Sequence, residues 1–599
     1  MSHEDQVLVY PKKLQIPRRK KHSTMLLTLL LLLLTVLLLY VGIELMAPEE
    51  SASTNPSGED HTGSLAEDTP TLETVHILTK EKDPDSAKYA FRSAWLPSVL
   101  NLDYPSASAM TIQELKDSFH SILDVYELYK LNAVIMQVRP TGDALYFSEL
   151  NPPSVFVTGD LEKGLPMDLL AFAIDAVHAR GMEFHAWFNP FRVTVYQEPE
   201  KTTEEILEDL HETNYARLHP EHVLRFDHKL FLDPGQKEVQ AFVLDSIMEV
   251  VRNYDIDAVH LDDYFYPYHS TRENEEGELE PYFFGDDEED LRTYLTHRGD
   301  FQDIKEWRRD NTYQFMKGLH TAIHDQKPYV KLGLSPFGIW GHADETGGLG
   351  SSTPVSSSES YHHSVFLDTK KLIEEELIDY VVPQIYWTFE EEQAPFGVLA
   401  RWWDQVVADT KVDLYIGHGN YKIHEAQGNP FWQNTTVLKD QLAYTSTLPN
   451  VRGSVFFRFA HLVAQDSSFT ATTRAFLEAN NAAIRAHFHH VALIPRNRNL
   501  PSAKATEPKD FTLKNGQLKF KDGYEGFSEM EKTSYFILYQ FPKEDLNPEN
   551  PAYIYKKIPV KSTGTTYTFN HLNTTDYVYG LSAFNRLHDE SPILLPVED

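Results

Sequence analysis

Between Phe91 and Ala486 the sequence alternates short apolar runs with longer amphipathic stretches, and it does so eight times. Strand-like runs fall at Phe91–Leu96, Ala133–Arg139, Glu183–Asn189 and Ala258–Asp263, then at Lys331–Pro336, Tyr380–Trp387, Asp413–Gly417 and Gly453–Phe459. Helix-like stretches follow them at Ile112–Leu131, Asp168–Arg180, Lys237–Asn253 and Asp303–Gln326, then at Asp368–Glu376, Val398–Thr410, Thr436–Thr447 and Thr470–Ala486. Thr111 ahead of Glu114 has the spacing of a capping box at the first helix. The middle strands are near-continuous apolar runs, as expected when both faces are covered. Alternation of this kind implies a parallel sheet. No glycine-rich phosphate loop follows the first strand, so a doubly wound open sheet is disfavoured. A closed (β/α)8 barrel over residues 88–494 is the predicted fold.

The flanks have other chemistry. Residues 1–24 are basic, with Lys12, Lys13, Arg18, Arg19, Lys20 and Lys21 against Glu4 and Asp5. Residues 25–46 follow as a leucine-rich run long enough to span a bilayer as one helix. The basic side stays cytoplasmic and the bulk of the chain faces out. No small-x-small cleavage site follows, so an uncleaved anchor is preferred to a signal peptide. The lipid bilayer is thus one expected partner. Residues 47–87 are rich in Ser, Thr, Pro, Gly and acids, the composition of a flexible stalk. Residues 495–508 form a linker of Pro, Asn and Lys. Beyond it, 509–599 turns to period-two strands, among them Tyr535–Tyr539, Thr565–Phe569 and Tyr577–Phe584. Leu572 followed by Tyr577 resembles the corner of a fibronectin type III sandwich. Its expected role is that of a spacer, with glycan binding as the alternative. The net charge of -35 disfavours nucleic acid as a partner. Absence of cysteine excludes disulfides, thiolate metal sites and a cysteine nucleophile.

Catalytic groups in such barrels sit at the C-terminal ends of the strands. Strand four ends in Ala258-Val259-His260-Leu261-Asp262-Asp263-Tyr264-Phe265-Tyr266-Pro267. Alternation puts His260 and Asp262 on one face and Asp263 on the other. Asp262 is the expected first carboxylate. Strand two contributes Arg139 and the loop residue Asp143. Strand three contributes His185, Trp187, Asn189 and Arg192. Tyr264 follows the paired acids, Trp340 follows strand five, Gln384, Tyr386 and Trp387 end strand six, and Tyr421 follows strand seven. Ordinary loops would show Lys, Glu and Ser at these places. Rings that stack on sugar faces, with amides and guanidinium groups that bond hydroxyls, suit a polysaccharide.

Six segments in order, Gln137–Tyr146, Arg180–Arg192, Ala258–Tyr268, Ser335–Trp340, Asp379–Trp387 and Leu414–Tyr421, resemble the glycosyl hydrolase-like 10 family. The likeness spans roughly residues 88–490 of the chain. It implies a (β/α)8 glycosidase on a bacterial surface, and some relatives are implicated in cleaving peptidoglycan strands stripped of stem peptides. The sequence departs from the family pattern at Gly341-His342 and Tyr361-His362.

Glycoside hydrolysis ordinarily uses two carboxyls flanking the bond. Asp262 is the expected nucleophile or base, and Asp143 or Asp263 the acid. His260-x-Asp262 resembles the Arg-x-Asp of other barrel glycosidases, in which the basic residue orients the acid. His362 and His363 are adjacent and no H-E-x-x-H occurs, so neither a catalytic metal nor any other cofactor is expected. The acidic run Glu273–Glu280 with Asp286–Asp290 lacks calcium-loop spacing and reads as a solvated insertion able to cover the cleft. A non-catalytic glycan-binding scaffold and a hydrolase of another surface polysaccharide stay open as alternatives. No protein partner is readable.

Overall fold

The computed structural model describes residues 76–78 and 87–596, apart from 275–276, 357, 427, 465–468, 527 and 562–563. The expected anchor, its basic flank and most of the stalk lie outside the described residues. Among the residues described, no helix is long and apolar enough to cross a membrane.

Eight parallel strands close on themselves: β1 Phe91–Leu96, β2 Ala133–Arg139, β3 Glu183–Phe188, β4 Ala258–Leu261, β5 Lys331–Leu334, β6 Tyr380–Val381 continued at Gln384–Ile385, β7 Asp413–His418 and β8 Val451–Phe456. Closure is made by β8 against β1, with Gly453 opposite Phe91. Pro383 lacks a donor N–H, which accounts for the break in β6. Helices follow each strand, the first capped by the Thr111–Glu114 box. Alternate residues face outward into one large apolar core beneath the helices. The others face in.

Inward rings form a continuous layer. Phe91 stacks on Tyr415 at 4.2 Å and lies 5.2 Å from His185. Tyr380 closes the circuit at 5.4 Å from both His185 and Tyr415. Tyr380 fits because β5 has Gly333 beside it; a Cβ there would stand 1.9 Å from the tyrosine ring. Such a barrel is a packed core, not a pore.

Below this layer the barrel's base is charged. Glu183 accepts from Lys331 Nζ and from His185 Nε2 at 2.9 Å. Its third partner is His588 Nε2 at 2.6 Å, from the C-terminal part of the chain. The Lys331 ammonium and His588 hold the Glu183 carboxyl well below its usual range, against the penalty of burial. The C-terminal segment therefore seals the base and is no extended spacer.

That segment has two antiparallel sheets. One orders β9 Lys509–Lys514, β10 Gln517–Lys521 and β13 Thr566–Phe569; the other orders β15 Ile593–Leu595, β14 Tyr577–Asn585, β11 Thr533–Pro542 and β12 Ile554–Pro559. His76–Leu78, expected in the stalk, pairs antiparallel with β15. The buried tyrosine is Tyr579, not Tyr577: its hydroxyl accepts from Gln540 at 2.7 Å and from the Asn573 backbone. Nor is 495–508 a free tether. Asn497 donates to Asp413 Oδ2 at 2.9 Å and to the Asp379 carbonyl at 2.6 Å.

Candidate active site

β4 ends at Leu261, one residue before the paired acids. Strand alternation therefore stops short of Asp263. Its carboxylate turns to the mouth and accepts from the Tyr268 hydroxyl and the Gln384 amide. Gln384 Nε2 also donates to the Ser335 carbonyl at 2.9 Å, which holds the amide in place. The expectation that Asp263 faces away from Asp262 is thus overturned by the early end of the strand.

Asp262 is held from β3. Trp187 Nε1 and Asn189 Nδ2 both donate to Oδ2 at 3.0 Å. The Tyr264 N–H adds a third bond. Oδ1 has no partner among the described residues. The orienting role expected of His260 falls instead to this Trp and Asn. Arg192 stands beside the group; its backbone donates to Asn189 Oδ1 at 3.2 Å, and its guanidinium donates to the Pro140 carbonyl and lies over the Tyr264 ring.

Both acids are nearly out of solvent, at 4 % and 1 % exposure. Burial pushes the Asp262 carboxyl up to about 6, against the pull of Arg192, Trp187 and Asn189. Burial pushes Asp263 up to about 7; the Tyr268 bond opposes this and the Asp262 charge adds to it. Asp263 is thus held the higher of the two, with the neighbouring Asp262 charge among the causes.

The other candidates divide by depth. His185 and His260 are fully buried inside the barrel and share the Tyr380 hydroxyl, at 2.8 and 3.0 Å from their Nδ1 atoms. His260 Nε2 also meets Trp95 Nε1 at 3.0 Å and Ser335 Oγ at 3.1 Å. Burial drives its pKa well down, so it is a neutral core group and not a sugar contact. Arg139 is equally buried, donating to Asn151 Oδ1 at 3.0 Å and to the Asn189 and Pro190 carbonyls at 3.1 Å. It pins the loop that carries Asn189. Asp143 Oδ1 accepts from the backbone and hydroxyl of Thr141, both at 2.9 Å, and so caps its own turn. Trp340 is stacked on Trp402 and donates to Asp368 at 3.0 Å, away from the acids.

Tyr386 and Phe457 stack at 5.6 Å, with Trp95 and Tyr421 edge-on to both. They make an aromatic floor. Tyr264, Tyr386 and Trp387 keep partial exposure, which suits sugar stacking. Tyr268 and Trp95 were not anticipated as site residues. Tyr268 could have been read from the aromatic run that continues past Pro267. Trp95 could have been read from its place at the end of β1.

The departure from the family pattern at His342 has a local explanation. His342 is buried, with Nδ1 on Thr353 and Nε2 on Ser356, so it braces its own loop. Asp290, expected in a solvated acidic run, is fully buried in a bidentate pair with Arg308 at 2.6 and 2.8 Å. Glu273, Leu279 and Glu280 of that stretch lie in a hairpin, Ser270–Glu273 with Leu279–Tyr282, and Asp286–Glu289 lie beyond it. Among the described residues one group has metal-ligand proximity: His219, Glu221 and His222, within 4.8 Å of one another on the loop after β3. Glu221 is exposed and His222 Nδ1 is engaged by Tyr215 at 2.8 Å.

The closed parallel barrel defines the class, a (β/α)8 protein, and two buried carboxyls follow the end of its fourth strand. The chain belongs to the glycosyl hydrolase-like 10 family, whose model matches residues 90–434. It is 33% identical over 509 residues to the glycosyl hydrolase YngK of Bacillus subtilis, covering 84% of this chain and 91% of that one. It is 34% identical over 388 residues to the glycosyl hydrolase DigH of Escherichia coli K12, covering 62% and 83%. Among solved structures, the glycoside hydrolase domain of PgaB from Bordetella bronchiseptica matches with a TM-score of 0.37 and 10% identity, covering 66% of this chain and 98% of that one.

Proposed function

We propose that this protein is a membrane-anchored glycoside hydrolase acting on a cell-wall glycan, namely peptidoglycan strands stripped of stem peptides. The observation that carries the reading is the Asp262–Asp263 pair, one acid poised near 6 and its neighbour near 7, beside an aromatic floor. Proton transfer to a leaving sugar oxygen needs a carboxyl protonated near neutral pH, and stabilising the positive charge at C1 needs an ionised one. The residues expected to bind sugar that retain exposure, Tyr264, Tyr386 and Trp387, would stack on the rings. The N-terminal apolar run would hold the barrel at the outer face of the membrane. The three and four strands that 509–599 gives to its two sheets, the larger extended to five by His76–Leu78, and the Tyr579 corner support a fibronectin type III reading for the C-terminal sandwich.

The test is mass spectrometry of products released by the full chain, in detergent, from peptide-free glycan strands. The reading expects defined saccharides from wild type and none from Asp262→Ala. Strands retained by the protein but never cleaved would move it to a glycan-binding scaffold.

A further inference from the structure

We propose that the bond is broken with help from the substrate's own 2-acetamido group, so that this site requires a β-linked N-acetylhexosamine on the side that becomes the new reducing end. This rests on the hydrolase reading above and names the substrate class of the same site.

Three features of the geometry carry it. First, the two acids are chain neighbours fixed by separate donor sets, Trp187 and Asn189 on one, Tyr268 and Gln384 on the other. Two carboxyls on one side of a bond cannot serve as a nucleophile and acid flanking it. Second, Asp262 Oδ1 is a buried acceptor with no donor among the described residues. A buried lone pair left empty is costly, and an amide N–H would fill it. Third, three of the other acids on the strand-end loops are engaged elsewhere. Asp103 is tied to Arg458 and to the Ala460 backbone, and Asp143 caps its turn. Glu359 accepts from the backbone N–H groups of Tyr361, His362 and His363. Exposed Glu425, beside Lys422 and Arg458, and half-buried Glu391, also beside Lys422, are the groups to which an ordinary two-carboxylate mechanism would turn.

The steps balance as follows. Asp263 gives its proton to the glycosidic oxygen as the bond from C1 to that oxygen breaks. The acetamido carbonyl oxygen bonds to C1, forming an oxazolinium ring whose N–H is held by the Asp262 carboxylate. Water then attacks C1, yields a proton to Asp263, and the ring reopens. Attack from within the same sugar requires a β bond, and two inversions give net retention.

The full chain, in detergent, is given peptide-free strands of alternating N-acetylglucosamine and N-acetylmuramic acid, and the anomer released first is read by NMR. The β anomer is expected, together with inhibition by N-acetylglucosamine thiazoline and failure to cleave N-deacetylated strands. Asp263→Asn should lose about a thousandfold on strands yet recover most of it on a 4-nitrophenyl glycoside of the same disaccharide, whose leaving group needs no proton. Asp262→Asn should not recover. Release of the α anomer, equal cleavage of N-deacetylated strands, or loss of activity in Glu425→Gln or Glu391→Gln would overturn the acetamido mechanism and leave the hydrolase reading standing. Cleavage of no strand by wild type would overturn both.

Discussion

Replacing Trp187 with Phe removes one donor from Asp262 and little else. The ring stays in place within the barrel's inner aromatic cluster, while the 3.0 Å bond from Nε1 to Oδ2 is lost. A hydrogen bond to a charged group contributes about 1.5–3 kcal/mol. At 1.36 kcal/mol per pKa unit, the lower figure lifts Asp262 by about one unit. Its pKa then moves from about 6 to meet Asp263 at about 7. If activity needs Asp262 ionised and Asp263 protonated, the wild-type profile is a narrow bell between those values. The variant's acid limb climbs by about one unit, its optimum falls about twofold, and at pH 6 its rate falls about fivefold. The assay is kcat/KM against pH on soluble glycan fragments. A variant whose rate drops equally at every pH, with the acid limb unmoved, would refute the reasoning.

Three further outcomes follow from the same geometry. Asp263→Asn should stabilise the fold while disabling it: a pKa raised from 3.8 to about 7 penalises the folded state as pH climbs through that window. The ceiling is about 4 kcal/mol, so urea midpoints should rise at pH 7.5 and not at pH 4; a lower midpoint at pH 7.5 would contradict it. Glu183→Gln strands the Lys331 ammonium and should cost about 3–5 kcal/mol. Since the folded pKa of Glu183 is depressed below 4.5, its contribution is whole above that value and lost as pH falls through the folded value, so the variant and wild type should converge in strong acid. Gly333→Ala drives a methyl into the Tyr380 ring and should destabilise by about 1–3 kcal/mol or more; an unchanged thermal midpoint would show that the ring layer is not packed as described.

Continuous apolar runs were legible because they read the same whichever face is buried. β1 and β2 have the expected bounds for that reason, and the helix caps follow local rules. β6 is less regular than its run suggests because Pro383 interrupts the ladder. The site was legible in its residue types and not in its depth. Alternation correctly put His260 on the inward face, but inward says nothing of height along the barrel axis. His260 lies below the mouth against Tyr380, and Asp262 at the rim. Asp263 was misjudged because a two-residue periodicity was extended past the end of β4. Docking of the C-terminal sheets was invisible, since Glu183 and His588 meet across 405 residues of sequence.

β3 links these observations. Its inward positions, Glu183, His185 and Trp187, continue into Asn189, and they rise from the base to the mouth at every second residue. The lowest is an ionised acid bonded to the C-terminal sheets, the next bonds both it and Tyr380, and the upper two hold Asp262. A barrel interior with a charge at its foot keeps that charge dry only if something covers the foot. The C-terminal sandwich supplies the cover, with His588 on Glu183 and the Arg586–Asp255 ion pair at its edge. Were the sandwich a detachable spacer, removing residues 509–599 would leave the barrel's urea midpoint and activity unchanged. The buried base requires the opposite. Water reaching Glu183 and Lys331 would loosen the foot of β3, and the two residues that orient Asp262 stand on that strand and just past its end. The truncated chain should therefore unfold at lower urea and lose activity before it unfolds.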